Sequence, residues 1–455
     1  MGVGIISLIL YILSILFINT VLKRKMAESM MWSFLLLLII SQFSQGQAIS
    51  YFIEGISFAS KQEVVFAAMA FTYMSYIMGK TGIISRLVNI LNSLLGRLPG
   101  GSGYVSTIAS ALFGMISGSG SGNAAAVGSI TIPWMKETGW SDETATTIVA
   151  GNAGLGMVFP PSSSMFLLLG MPTIAAELTS AQLYVTLMSG AIIVLIYRLI
   201  VVRYFVSKYK IKGLSKDAIP SIGTAMSNGW QSLLIFLGVA IPVLLTTGPL
   251  VKLLEGIESY GADGLDSISL ILWIPVLISL IAIFEGRKYL PKTLKGWYEI
   301  NQEAVGKFGE TGALLFFAFA ASRVLIKLGL EGEITAVFEQ LGNLSPVIVI
   351  VAISALITMM VGPFTGTAAT TAVGSVGYLA LRSIGAAPSV ACTVLLFLFS
   401  NEGCIPPNSA PIYISCGISG IEKPSVIFKQ LVFLYAAPTI LIAMLIAGGI
   451  IPLIH

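Results

Sequence analysis

The stretch SGYVSTIASALFGMISGSGSGNAAAVGSITIPWM, residues 102–135, decides how this chain is organised. It carries no charge until Lys136, and its middle, SGSGSGN at 117–123, is glycine, serine and one asparagine. At about 1.5 Å per residue each arm reaches about 25 Å, short of a hydrocarbon core roughly 30 Å thick. That suits a re-entrant hairpin: one helical arm down, a glycine-rich tip, and a second arm back to the same side. A second stretch, 347–381, is uncharged until Arg382 and is split in the same way by GPFTGT at 362–367.

Composition gives the setting. The chain has 455 residues, 56% hydrophobic and only 10% charged, where a soluble domain carries about 25% charged residues. With a mean hydropathy of +0.91 it reads as an all-α polytopic membrane protein. The one histidine, His455, stands at the last position, which excludes histidine catalysis and histidine metal sites within the fold. Cys392, Cys404 and Cys416 show no CxxC spacing and read as buried thiols. A net charge of +4 spread over loops gives no support to nucleic-acid binding. No nucleophile–base pair is apparent, so no catalytic residue and no organic cofactor is expected.

Ten apolar runs have spanning length: 3–22, 31–49, 63–79, 144–170, 182–206, 231–251, 268–285, 309–330, 389–416 and 426–450. The first is followed, not preceded, by Lys23-Arg24-Lys25, so it reads as a retained span and not a signal peptide. Lysines in 207–217 and basic residues in 286–295 place those loops in the cytoplasm; the acids in 252–266 and 331–339 place theirs outside. Ten spans with two hairpins satisfy all four assignments and put both termini outside. Counting either hairpin as a single span breaks the pattern.

The halves match without a gap at an offset of 246. Ala126-Val-Gly-Ser129 recurs as Ala372-Val-Gly-Ser375, and Pro160-Pro161-Ser-Ser163 as Pro406-Pro407-Asn-Ser409. Each half holds five spans and a hairpin, so the second is expected to be inverted. The expected organisation is a first repeat over 1–230, with hairpin 102–135 and broken span 144–170, and a second over 231–455, with hairpin 347–381 and broken span 389–416. Inverted repeats with broken helices mark secondary transporters, with the site at the repeat interface.

The tips offer oxygen: Ser117, Ser119, Ser121 and Asn123 in one, Thr365, Thr367, Thr370 and Thr371 in the other. Each hairpin is followed by a span broken by glycines and a proline pair, Gly151-Asn152 to Ser162 and Ser400-Asn401 to Asn408. Proline frees a carbonyl one turn back, and carbonyls, hydroxyls and amides suit a hard cation. Two symmetry-related Na⁺ sites are expected, with helix ends nearby for a substrate carboxylate. The candidates for substrate are Ser121, Asn152, Ser163, Thr370 and Asn401. Glu402 is the acid in the middle of span 389–416. Three roles stand open for it: ligating Na⁺, taking a proton, or pairing with Arg323 or Lys327. Residues 80–100 read as a helix lying at the cytoplasmic interface.

The run MGKTGIISRLVNILNSLLGRLPGGSGYVSTIASALFGMISGSGSGNAAAVGSITIPWMKETGW (78–140), then GNAGLGMVFPPSS (151–163) and IPPNSAPIYISCGISG (405–420), resembles the large membrane subunit of tripartite ATP-independent periplasmic (TRAP) transporters. The family lies within the sodium-coupled elevator-type transporters. The resemblance implies scaffold and transport domains moving as an elevator. It also implies Na⁺-coupled uptake of an organic acid across the cytoplasmic membrane of a bacterium or archaeon, a small membrane subunit, and an extracytoplasmic binding protein that delivers substrate. Carried over, Ser119, Asn123, Gly156, Pro160 and Ser162 would form the first Na⁺ site, and Thr365, Thr367, Glu402, Pro406 and Asn408 the second. Glu402 stands where the family tends to be neutral. The competing readings are a stand-alone Na⁺- or H⁺-coupled carboxylate carrier without a binding protein and, from another class, a membrane-embedded enzyme or channel.

Overall fold

The structure, a computed structural model, describes residues 2–213, 219–246, 269–330, 332–333, 336, 345–361, 366–406 and 409–454. Among these residues it is helical throughout, with no strand. The first half runs α1 (Val3–Leu16), α2 (Met26–Gln45), α3 (Ala48–Ser60), α4 (Glu63–Thr81), α5 (Ile83–Leu95), α6 (Gly101–Ser117), α7 (Gly120–Glu137), α8 (Asp142–Asn152), α9 (Leu155–Val158), α10 (Ser163–Leu169), α11 (Pro172–Ala175) and α12 (Ser180–Tyr209). The second runs α13 (Ile222–Gly229), α14 (Leu237–Thr246), α15 (Leu270–Glu285), α16 (Leu294–Lys327), α17 (Pro346–Val361), α18 (Gly366–Ser383), α19 (Pro388–Phe399), α20 (Ala410–Ser419), α21 (Ser425–Leu431) and α22 (Ala437–Ala447). Among the described residues, six helical segments are long and apolar enough to cross a membrane: Val3–Val21, Met26–Gln45, Ser180–Tyr209, Ile222–Leu245, Leu294–Lys327 and Ser425–Ala447.

Both long stretches that opened the reading are two helices each. The turn between α6 and α7 is Gly118-Ser119. Gly118 takes φ +61°, a left-handed value that glycine adopts without a Cβ penalty, and Ser119 caps α7 by accepting from the Gly122 N–H at 3.1 Å. The arms run antiparallel: Ser106 meets Thr131 at 3.0 Å, and the Asn123 amide reaches the Ser110 carbonyl at 2.9 Å. The tip between α17 and α18, residues 362–365, lies outside the described residues, and Thr365 with it.

The element bounds recur at the offset of 246. Gly120–Glu137 maps onto Gly366–Ser383, and Asp142–Asn152 onto the first eleven residues of Pro388–Phe399. Contacts recur as well. Helix α7 packs on α20 and its counterpart α18 on α10; α12 packs on α19, and α21 on α8.

Three boundaries differ from the sequence reading. Helix α3 fills 48–60, which the apolar runs leave as a connection. It is anchored by Gly55, where a methyl group would sit 3.1 Å from the Ala320 carbonyl, and by Phe52, whose ring lies tilted 6.2 Å from that of Phe34. The run 309–330 begins at Leu294, because the polar and charged residues of 294–308 hide this part of the helix from a hydropathy scan. Lys295 is therefore helical, and only 286–293 remains as the basic loop. The acidic loop 252–266 lies outside the described residues. In 331–339, Glu333 caps α1: its carboxylate accepts the Gly4 and Ile5 N–H groups, each at 2.9 Å.

Candidate functional site at the hairpin tips

Span 144–170 is broken twice, at Ala153-Gly154 and at Phe159–Ser162, leaving α8, α9 and α10 in line. The second break holds Pro160 and Pro161, joined by a cis peptide bond. Ser162 restarts the helix: its hydroxyl accepts from the Met165 N–H and donates to the Met157 carbonyl, both at 3.1 Å. Span 389–416 is broken by a 3₁₀ turn, Ser400–Gly403, in which Asn401 and Glu402 are both buried. Pro406 follows, half-buried; Pro407 and Asn408 lie outside the described residues.

The breaks cross each other. A methyl group on Gly154 would collide with the Ser400 carbonyl, and one on Gly403 with the Ala150 carbonyl. Gly156 lies so close to Gly114 of α6 that neither tolerates a Cβ. Asn123 of α7 is fully buried and staples hairpin to break, its amide nitrogen donating to the Ser110 and Ala153 carbonyls at 2.9 Å each. Asn152 donates to Thr107 of α6 at 2.9 Å. With both nitrogens committed, Asn123 Oδ1 and Asn152 Oδ1 face the interior with no partner among the described residues. Neither amide atom of Asn401 has one either. Buried polar atoms left unpaired cost about 1–3 kcal/mol each, and several in one place are sites for water, an ion or another ligand.

The N-terminal ends of α7 and α18 converge on Glu402. A methyl group on Gly120 would sit 2.9 Å from Glu402 Oε2, and one on Gly366 3.0 Å from the same oxygen. Both helices thus open beside this carboxylate. Ser409 Oγ donates to the Glu402 carbonyl and fixes the turn.

The structure thus brings Ser119, Ser121, Asn123, Asn152, Gly156, Pro160, Ser162 and Ser163 onto one tip and break, with Asn401, Glu402 and the start of α18 alongside. Ser163 abuts Gly118 at the tip. The hydroxyls of Thr370 and Thr371 bond back to the Gly366 and Thr367 carbonyls at 2.7 and 2.6 Å, the ordinary fate of threonine in an apolar helix. One pairing is corrected. Arg323 and Lys327 lie 3.7 and 2.8 Å from Glu54, not Glu402, because α3, unseen in the apolar runs, supplies a nearer acid. Sequence reasoning also passed over Arg198 of α12. It is buried, donates to Thr439 at 2.8 Å and lies 4.6 Å over the Tyr435 ring. A basic residue within the apolar run 182–206 was the signal that pointed to it.

Residues 5–450 match the family model described as tripartite ATP-independent periplasmic transporter, DctM component. The chain belongs to this family. It is a multi-pass membrane protein of a transporter family, not of an enzyme family. Among relatives, a sialic acid TRAP transporter large permease protein of Vibrio cholerae is 25% identical over 55% of this chain and 55% of its own length. A C4-dicarboxylate TRAP transporter large permease protein of Pseudomonas aeruginosa is 30% identical over 34% of this chain and 35% of its own. An isethionate TRAP transporter permease protein of Oleidesulfovibrio alaskensis is 37% identical over 22% of this chain and 16% of its own. The matched stretches therefore span about half or less of these relatives. In fold, the chain superposes on the YdaH transporter of Alcanivorax borkumensis with a TM-score of 0.65 at 15% identity, covering 93% of this chain and 97% of that one.

Proposed function

We propose that this TRAP family member is the translocating large membrane subunit of a sodium-coupled organic-acid carrier. It works in the cytoplasmic membrane of a bacterium or archaeon, with both termini outside and its two repeats, 1–230 and 231–455, inverted. A small membrane subunit and an extracytoplasmic binding protein complete it. An elevator movement carries the hairpin tips and broken spans past the remaining helices. The observation that supports this most is the convergence of two helix N-terminal ends and two broken spans on one buried point, the arrangement expected of a secondary transporter.

Sodium fits the donor set. Asn123 Oδ1 is a buried acceptor without a partner among the described residues, beside backbone freed by the Ala153-Gly154 break. Ser119, Asn123, Gly156, Pro160 and Ser162 would hold the first ion, Ser162 through backbone because its hydroxyl caps α10. Thr367 and Pro406, with Thr365 and Asn408, would hold the second. Oxygen from carbonyl, amide and hydroxyl groups suits a hard monovalent cation, and its gradient would supply the driving force. The Glu402 carboxylate lies at the N-terminal ends of α7 and α18, which seat an anion, so it is left out of the cation set.

The test is uptake of labelled organic acids into proteoliposomes, with the Na⁺ gradient and the binding protein each present or absent. Uptake that needs both is expected. Uptake indifferent to Na⁺ overturns the sodium sites; uptake undiminished without the binding protein points to a stand-alone carrier.

A further inference from the structure

The Glu402 carboxylate is 3% exposed and has no basic partner among the described residues. Seven helices pack on its turn: α7, α8, α9, α17, α18, α19 and α20. Among the other ionisable side chains, the charged ones stand at far ends: Lys136 and Glu137 closing α7, Asp142 and Glu143 opening α8, and Arg382 closing α18 against Glu177 at 3.0 Å; Cys392 lies within α19, Cys416 near the end of α20, Tyr378 in α18 held by Glu177, Tyr413 in the first turn of α20, and Cys404 just past the turn. Lys136 and Arg382 are each sixteen residues from the glycine at the head of their helix, or about 24 Å. What balances Glu402 is backbone. A helix N-terminus carries about half a positive charge, and two such ends, at Gly120 and Gly366, meet the same carboxylate oxygen. Together they offset about one negative charge, and Glu402 already supplies it. Its counterpart at the offset of 246 is Gly156, which lies against the Gly114 backbone and brings no side chain. The site therefore contains one built-in carboxylate. Such a group has about four lone-pair positions, which leaves acceptors for donors from a ligand beside the starts of α7 and α18.

We propose that Glu402 determines which organic acids this chain accepts: those with a single carboxylate whose other end presents hydroxyl or amino donors to Glu402, in preference to dicarboxylates. This rests on the organic-acid reading above and names the substrate class for it. A dicarboxylate places its second charge where the positive ends of α7 and α18 are already neutralised, and like charges at close range repel strongly in a buried site.

The test uses the full chain in lipid nanodiscs as wild type, Glu402→Gln, Glu402→Asp and Glu402→Gly, the last being the residue of the other repeat. Apparent affinities are read from ligand-induced shifts in thermal unfolding for matched pairs: gluconate against glucarate, succinamate against succinate, and 3-hydroxybutyrate against malate. In wild type the monoacid of any pair that binds is expected to bind at least about tenfold tighter, equivalent to about 1.4 kcal/mol. Glu402→Asp keeps that preference, and Glu402→Gln and Glu402→Gly abolish or invert it. Glutamine and glycine differ in bulk, so a folded protein from either one suffices. A wild type that prefers the diacids, or neutral variants that keep the wild-type ratio, overturn the proposal. No shift in wild type with any acid overturns the organic-acid reading itself, a separate result visible before any variant is compared.

Discussion

Gly154 backs onto Ser400, its own counterpart at the 246-residue offset, so closely that a methyl group on Gly154 would collide with the Ser400 carbonyl. Gly120 and Gly366, also counterparts, meet one oxygen of Glu402. The proposed inversion of the repeats would put the breaks and the tips on one pseudo-axis. Gly154→Ala should misplace both broken spans. Forced overpacking of this kind costs about 1–3 kcal/mol, and we expect a lowered unfolding temperature together with loss of uptake. Ala153→Gly, beside it, should cost less. Equal stability of Gly154→Ala and wild type would mean the spans do not touch here.

Asn123 separates the structural part of the site from the part proposed to hold the ion. Its amide nitrogen ties α7 to Ser110 and Ala153, while Oδ1 has no partner among the described residues. Asn123→Asp keeps an oxygen at Oδ1 but replaces the donor. Asn123→Ala removes both, at about 1 kcal/mol for each hydrogen bond lost. We expect Asn123→Ala to weaken the Na⁺ dependence of uptake by about tenfold or more, which is about 1.4 kcal/mol. Sodium titrations of uptake in proteoliposomes decide it. An unchanged Na⁺ midpoint in a folded Asn123→Ala protein would remove this residue from the site.

Much of this was legible in the sequence, for reasons that particular residues make plain. Glycine, serine and proline disrupt apolar helices by local chemistry, so SGSGSGN and the proline pairs marked the tip and breaks without knowledge of the partners. The offset of 246 was legible because the repeated residues are those breakers. Glu54 as the partner of Arg323 and Lys327 was not, since α3 is neither apolar enough to read as a span nor polar enough to read as a loop. Nor was the seat of Glu402. Its meeting with Gly120 and Gly366 joins three segments far apart in sequence, and a glycine at a helix start looks the same whether it faces lipid, solvent or a carboxylate.

Arg86 and Glu285 form a half-buried network that fixes α5 to α15. The guanidinium meets Glu285 at 2.6 Å, Ser232 at 2.7 Å and the Thr81 carbonyl at 3.1 Å, with the Glu285 side chain only 6% exposed. Removing one partner of such a pair strands the other charge and costs about 3–5 kcal/mol. Arg86→Met and Glu285→Gln should each lower the unfolding temperature sharply. The double variant should recover part of the loss, because no unpaired charge remains. Additive losses in the double-variant cycle would show the pair to be uncoupled.

Glu54 lies in α3, outside the six spanning segments, and gives a pH signature. The hydrogen bond from Lys327, with the Lys327 and Arg323 charges, holds its carboxyl below the ordinary carboxylate value of 4.5 against an opposing effect of desolvation. A group depressed in the folded state contributes stability above its ordinary value and loses it as the pH falls through the folded one. Wild type minus Glu54→Gln should therefore show a constant difference in unfolding temperature near neutral pH, shrinking as the pH drops below about 4.5. The side chain is 35% exposed, so the difference should be small and should shrink further in high salt. Thermal melts of both proteins from pH 7 to pH 3, at low and high salt, read it directly. A difference that grows on acidification would reverse the sign and place the Glu54 charge away from Lys327 in the folded protein.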